Sequence, residues 1–161
     1  MIKELMASDF HSILEVINDA AQAYKGVIPE DRWKEPYMSI EELTREIEEG
    51  VRFYGWTENG TLLGVMGIQS VKDVTLIRHS YVLTNHQMRG IGGKLISHLR
   101  SLCETSELLV GTWEDATWAT GFYELHGFRL VPSDEKNKLL QEYWSIPDRQ
   151  IDTSMVLRLR R

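Results

Sequence analysis

Three glycines and two cationic side chains lie close together in the stretch VLTNHQMRGIGGKL, residues 82–95. The stretch leads from an apolar segment into a helical pattern, so Gly90, Gly92 and Gly93 stand where a helix begins. Backbone N–H groups at a helix N-terminus attract anions, and glycine lets a phosphate oxygen approach the backbone without a Cβ in the way. Arg89 and Lys94 can add charged hydrogen bonds. The turn from Gln87 to Gly93 is therefore predicted to bind phosphate; the alternative is a tight turn whose glycines serve only close packing.

Two familiar phosphate motifs do not fit this turn. A P-loop would need glycine at position 88 and serine or threonine at position 95, where the chain has Met88 and Leu95. The dinucleotide-binding fingerprint would need its third glycine at position 95 as well. The predicted phosphate site therefore belongs to neither class.

Hydrophobic periodicity and turn residues indicate the elements that would position this turn. Apolar residues recur at helical spacing from Ile13 to Tyr24, and Ser39 and Glu42 form a capping-box pattern for a second helix that ends at Gly50. Asn59-Gly60 predicts a tight hairpin. Strands are predicted in VRFYGW, TLLGVMGIQSV, VTLIRHSYVL, ELLVGTW, FRLV and TSMVLRLR, and further helices over 91–102, in ATWATGFYELHGF and in NKLLQEYW.

This order of elements predicts an α/β fold. We expect a mixed sheet of about seven strands, mainly antiparallel, with helices on both faces. The 161 residues suit one domain over 1–161.

The same stretch resembles the acyl-CoA signature of the GNAT superfamily of N-acetyltransferases, in which Gln or Arg, two residues, Gly, one residue and Gly or Ala follow the fourth strand. Gln87, Gly90 and Gly92 fill these positions. A second match, AxxxYxxxGF, resembles the later helix and strand of the superfamily; its members here are Ala119, Tyr123, Gly127 and Phe128. One departure is Ala116, which stands where the superfamily often has an asparagine that contacts the cofactor.

The resemblance implies that the parallel strands four and five splay apart, and that the pantetheine arm of acetyl-CoA lies between them like an added strand. Backbone groups of Val82, Leu83 and Thr84 would contact the pantetheine. The pyrophosphate would be held by the residues of the turn: Gln87, Met88, Arg89, Gly90, Ile91, Gly92, Gly93 and Lys94. Acetyl-CoA is then the acyl donor, and no metal is expected.

Acetyl transfer to an amine needs a base for the ammonium proton and an acid for the departing thiolate. The motif makes Tyr123 the predicted acid. His79 is the first choice of base, although a structural histidine fits equally well; Glu114 and a chain of waters are the alternatives. Strand alternation predicts that His79 and Arg78 point to opposite faces, so that only one of them faces the substrate.

The acceptor pocket is predicted from the loop after the first helix and the ends of strands four and five. Trp33, Trp113 and Glu114 are its predicted substrate-binding residues, with Tyr24, Tyr37 and Trp144 as further aromatic neighbours. The acceptor would be an amine of a small molecule or peptide. The rival function is a non-catalytic acyl-CoA-binding module.

The composition excludes several classes of partner. A net charge of -6 with dispersed charges argues against nucleic-acid binding, and the absence of 18 consecutive apolar residues argues against a membrane span. Cys103 is the only cysteine, which together with the lack of a signal-peptide pattern predicts a cytoplasmic protein. A homodimer is compatible with the fold, and the sequence neither requires nor excludes it.

Overall fold

The computed structural model describes all 161 residues. Its strands are Ile2–Glu4 (β1), Arg52–Glu58 (β2), Thr61–Val71 (β3), Val74–Val82 (β4), Glu107–Trp113 (β5), Arg129–Leu130 (β6) and Ser154–Arg160 (β7). Its α-helices are Phe10–Ala20 (α1), Ile40–Glu48 (α2), Ile91–Leu102 (α3), Thr117–Leu125 (α4), Ser133–Tyr143 (α5) and Asp148–Asp152 (α6). None of these helices has both the length and the apolar run that crossing a membrane requires.

All seven strands form one mixed sheet in the order β1-β2-β3-β4-β5-β7-β6. Every neighbouring pair is antiparallel except β4 and β5, which are parallel and pair only where Thr75–Ile77 meet Leu108–Val110. Beyond Ile77 and Val110 the two strands separate. The predicted mixed sheet with splayed parallel strands is confirmed.

Local sequence signals account for two of the turns that frame this sheet. Asn59 and Gly60 both have positive φ, 51° and 78°, and join β2 to β3 as the hairpin prediction required. Ser39 caps α2, because its hydroxyl accepts the backbone N–H of Glu42 at 3.1 Å. Both predictions are confirmed.

The short peripheral elements differ from the prediction. β1 has three residues and pairs only with β2, so its sequence is too short to carry an alternating pattern. The helix predicted in NKLLQEYW begins earlier, at Ser133, and α6 was not predicted at all. Pro132 and Pro147 precede these two helices, a position that suits proline because the first helical N–H groups need no acceptor.

Helices cover both faces of the sheet. On one face α3 and α4 pack on a core of 15 buried residues, which includes Ile77 of β4 and Val110 of β5. On the other face α1 and α2 pack against β2 and β3, while α5 and α6 pack against Leu76 and Leu109. The opening between β4 and β5 therefore joins two sides of the sheet that different helices cover.

A β-bulge in β4 overturns the predicted alternation of its side chains. Val65 of β3 pairs with Tyr81 and Gly67 pairs with Arg78, so His79 and Ser80 together lie opposite the single residue between them, and His79 has a φ of 53°. Arg78 and His79 consequently reach the same carboxylate, although alternation placed them on opposite faces. The extra residue in the bulge shifts every later side chain of β4 by one position.

Candidate functional site

The turn between β4 and α3 presents a row of free backbone donors. From Gln87 to Gly93 seven consecutive N–H groups donate to no backbone or side-chain acceptor, and the hydrogen bonds of α3 begin only with Lys94 donating to the Gly90 carbonyl at 3.1 Å. Met88 and Gly90 have positive φ, 65° and 81°. These left-handed residues curl the chain, so that the row combines a helix N-terminus with a concave turn that can receive an anion.

The three glycines of the turn have different roles. A Cβ on Gly90 would meet nothing within 4 Å, so glycine there serves the positive φ and leaves its surface open. A Cβ on Gly92 would lie 3.1 Å from the Phe122 ring, and one on Gly93 would lie 3.1 Å from the His126 ring. Gly92 and Gly93 thus let α3 approach α4 closely, which is the packing role that the sequence left as the alternative.

The two cationic side chains of the turn interact with other side chains of the same protein. The Arg89 guanidinium donates to both carboxylate oxygens of Glu58, at 2.9 and 3.1 Å, and also contacts His86. Lys94 places its ammonium 4.4 Å from the centre of the Trp56 ring. Neither side chain lines the cavity described below, whereas the turn residues that do line it carry free backbone N–H groups.

Among the three residues predicted to contact pantetheine, one has an N–H group that faces the opening between β4 and β5. Leu83 donates its N–H to Leu63 of β3 at 2.8 Å, and Thr84 donates to the Asp19 carboxylate at 2.8 Å. Since successive residues of a strand turn their N–H groups to alternate sides, that of Val82 points toward β5. Of the three predicted pantetheine contacts, Val82 is the one free to make an N–H bond, while its carbonyl accepts from Gln87 at 3.2 Å.

A continuous cavity of about 880 Å³ follows the opening between β4 and β5. One end is formed by the turn, with Gln87, Met88 and Gly90–Gly93 in its wall. The other end is lined by residues of α5, α6 and the loop between them, on the opposite face of the sheet. The cavity therefore connects the row of free donors with its other end on the opposite face of the sheet, which we call the second chamber.

Tyr123 of α4 lines this cavity. Its side chain is almost fully buried, and burial raises the pKa of the phenol to about 12, an effect that the Ser80 hydroxyl partly offsets. A phenol with this pKa is fully protonated at neutral pH. Tyr123 can therefore give a proton to a base that forms in the cavity.

Aromatic side chains form the wall of the second chamber. We call this set the aromatic wall; its members are Tyr24, Tyr37, Tyr81, Trp113 and Trp118. Trp113 donates its indole N–H to the Tyr37 hydroxyl at 2.9 Å. Burial is the main cause that raises the pKa values of Tyr24, Tyr37 and Tyr81, so the three phenols stay neutral.

The other predicted acceptor residues differ in their placement. Trp144 lines the chamber, next to Gly111 of β5. Trp33 stacks on Tyr37 with ring centres 5.8 Å apart and lies behind the wall. Glu114 is exposed beyond the end of β5 and does not line the cavity.

The family follows from a comparison with known protein families. Residues 17–140, well over half of the chain, match the model of the acetyltransferase (GNAT) domain. The chain belongs to the GNAT family of acetyltransferases. No curated protein matches this GNAT chain in a sequence search.

Solved structures share the fold of this GNAT domain at low sequence identity. A PaiA N-acetyltransferase from Thermoplasma acidophilum, in complex with coenzyme A, has 17% identity and a TM-score of 0.76 over 100% of this chain and 98% of that chain. The ribosomal-protein-S18-alanine N-acetyltransferase of Escherichia coli has 17% identity and a TM-score of 0.71, over 99% and 92%. A GNAT acetyltransferase from Elizabethkingia anophelis, with acetyl-CoA bound, has 19% identity and a TM-score of 0.66, over 100% and 97%.

In this GNAT domain the β4 bulge is held by one carboxylate of α2. Glu46 Oε1 lies 2.5 Å from His79 Nε2 and 2.8 Å from Arg78 Nη2, and all three side chains are at most 22% exposed. Burial alone would raise the pKa of Glu46, but the hydrogen bond to His79 and the charge of Arg78 outweigh it and lower that pKa. The His79 ring also stacks on Phe53. Its contacts with Glu46 and Phe53 together hold the residue in its left-handed backbone conformation.

Several residues of the site carry no signal in the sequence. Glu46 is one of many glutamates on α2, and only the bulge brings His79 to it. Phe122 and His126 could have been inferred, because they stand one residue before and three after Tyr123, on a helix that must pack against the glycine turn.

Replacing Glu46 with glutamine should destabilise the domain by about 1.5–3 kcal/mol at pH 7, because it removes hydrogen bonds between a buried carboxylate and two donors. The folded state lowers the pKa of Glu46, so this contribution is present above the unfolded value of about 4.3 and disappears as the pH falls through the folded value. Urea unfolding at pH 7 and pH 3.5 measures both effects, and the deficit should shrink at the lower pH. Glu48→Gln, at an exposed position of the same helix, is the control, and an equal loss in both variants would contradict the assignment.

Proposed function

We propose that this GNAT acetyltransferase transfers the acetyl group of acetyl-CoA to a primary amine of a small molecule or peptide, by direct attack in a ternary complex. One observation carries the proposal: the row of free N–H groups from Gln87 to Gly93 opens into the same cavity as the Tyr123 phenol. A donor with a diphosphate at one end and a thioester at the other would span these two features. The second chamber then admits the acceptor from the opposite face of the sheet.

The donor would be held mainly by the backbone. Its diphosphate accepts from the N–H groups of the turn, and its pantetheine arm lies along β4, where the N–H of Val82 faces the opening. Structures of the same fold with coenzyme A or acetyl-CoA bound support this assignment. Because Arg89 and Lys94 are held by Glu58 and Trp56, we propose that they act only through their backbone N–H groups or long-range charge.

The reaction forms one bond and breaks another. The neutral amine nitrogen attacks the thioester carbonyl carbon, the C–N bond forms, and the C–S bond then breaks with the electron pair leaving on sulfur. Tyr123 donates its proton to the thiolate, giving free coenzyme A, and recovers a proton as the amide product loses one from nitrogen. Because a thiol has a pKa of about 8.5, the phenol is the weaker acid of the two, and the transfer has to be coupled to C–S cleavage and to return of the nitrogen's proton to the phenol.

The base that removes the ammonium proton is proposed to be His79. Its Nε2 is bonded to Glu46, which leaves Nδ1 as the nitrogen that could accept a proton through water. The Glu46 carboxylate would then stabilise the imidazolium that forms. Glu114 is a weaker choice because it is exposed and outside the cavity, and a chain of waters is the remaining route.

Gly90→Ala should weaken coenzyme A binding about tenfold, because an L side chain at a φ of 81° costs about 1–2 kcal/mol and the turn would relax away from its concave shape. Isothermal titration calorimetry measures the change. Gly60→Ala is the matched control, since Gly60 has a φ of 78° and equally open surroundings in the β2–β3 hairpin. Equal affinities in the two variants would argue against the turn as the diphosphate site.

Tyr123→Phe should lower kcat by about 10²- to 10⁴-fold while coenzyme A affinity stays unchanged, because the variant removes only the proton donor. Release of free thiol in the presence of amine acceptors measures turnover. Tyr143→Phe serves as the control, because the Tyr143 hydroxyl donates to Asp73 outside the cavity. A non-catalytic acyl-CoA-binding module would bind coenzyme A and show no turnover in any variant, including the wild type.

A further inference from the structure

The acceptor chamber has no acidic residue in its wall. No part of the cavity is lined by an aspartate or a glutamate. Glu46 lies behind the wall and is bonded to Arg78 and His79, and Glu42 is bonded to Lys34. A polyamine would bring additional ammonium groups into a chamber that offers them no carboxylate, and an unpaired charge is costly to bury.

Arg32 stands beside this chamber without a carboxylate partner. It ends a short 3₁₀ turn, Glu30–Arg32, and donates from Nη2 to Oε1 of Gln150 at 3.1 Å. Its Nε is buried and has no hydrogen-bond partner, and the neighbouring Asp31 is paired with Arg149 instead. A guanidinium bonded only to a neutral amide retains donors for an anion.

The surroundings of Arg32 connect it to the cavity. Gln150 of α6 lines the chamber, and its side-chain NH₂ makes no bond within the protein, so it can donate alongside Arg32. The charge of Arg32 lowers the pKa of Tyr37, against the larger effect of burial, which places the guanidinium within electrostatic range of the aromatic wall. Gln150 thus presents its NH₂ group to the chamber, and Arg32, which does not itself line the cavity, stands directly behind it.

We propose that the acceptor is an amine that also carries a carboxylate and a large apolar or aromatic group, the chemistry of a free hydrophobic amino acid. Gln150 donates to the carboxylate, the guanidinium of Arg32 behind it supplies the opposite charge and further N–H donors, the aromatic wall contacts the apolar group, and the amine faces the thioester. Guanidinium donors match the two oxygens of a carboxylate and favour it over a single acceptor. This inference rests on the proposed N-acetyltransferase function and names the substrate class of the same site.

The test compares acceptors that differ only in the carboxylate. L-phenylalanine and L-tryptophan are assayed against 2-phenylethylamine and tryptamine, with spermidine as the polyamine, using acetyl-CoA and thiol release. The wild type should prefer each amino acid over its decarboxylated partner by roughly 10- to 100-fold in kcat/KM. Arg32→Gln should abolish this preference through a higher KM for the amino acids, and leave the KM for acetyl-CoA and the turnover of the two amines unchanged.

Three controls make the outcome decisive. Arg149→Gln removes an exposed arginine of the same region that pairs with Asp31, and it should keep the wild-type preference. Arg32→Lys keeps the positive charge but lacks the planar guanidinium with its parallel N–H donors, and it should recover part of the preference. A rise in melting temperature with coenzyme A shows that each variant is folded.

Two results would overturn the inference while the proposed function stands: efficient acetylation of spermidine or of the decarboxylated amines by the wild type, or an equal effect of Arg32→Gln on both members of a pair. If the wild type binds coenzyme A but acetylates no amine, the proposed function itself fails and the inference fails with it.

Discussion

Seven consecutive backbone N–H groups without an acceptor in the protein are the feature on which the rest of the site depends. Backbone donors in a folded chain are otherwise almost all paired, so a row of free ones needs water or a ligand. Here the left-handed Met88 and Gly90 gather them into one concave turn at the start of α3. A diphosphate is the ligand chemistry that such a turn suits, because it presents several acceptor oxygens and full negative charge to donors that carry no net charge themselves.

The separation of β4 and β5 connects this turn to the interior of the sheet. The two strands pair over three residues and then part, which opens a cavity through the sheet to Tyr123 and the aromatic wall. The bulge in β4 brings Arg78 and His79 to the same side, where Glu46 holds both. In the proposed reaction, a donor and an acceptor enter from opposite faces and meet at the buried phenol. Packing of Gly92 and Gly93 against Phe122 and His126 fixes the position of the turn relative to the Tyr123 phenol.

The sequence predicts the parts of this arrangement that depend on local patterns. The hairpin at Asn59-Gly60, the cap at Ser39, the glycine turn and the mixed sheet follow from turn chemistry and periodicity, and the structure has them. The bulge at His79 could not be predicted, because a single extra residue leaves the β-branched pattern of the strand intact. The partners that it creates, and the contact of Arg32 with Gln150 across 118 positions, depend on tertiary packing. A sequence pattern also cannot show which way a long side chain turns, so the contacts of Arg89 with Glu58 and of Lys94 with Trp56 are visible only in the structure.

The most direct test of the donor site follows the backbone amides themselves. In two-dimensional ¹H–¹⁵N spectra, coenzyme A should shift the amide signals of Gln87 to Gly93 strongly, since their N–H groups gain charged acceptors. Pantetheine, which has no diphosphate, should leave those signals nearly in place while it shifts that of Val82. Binding of coenzyme A with no change at the amides of the turn would contradict the account.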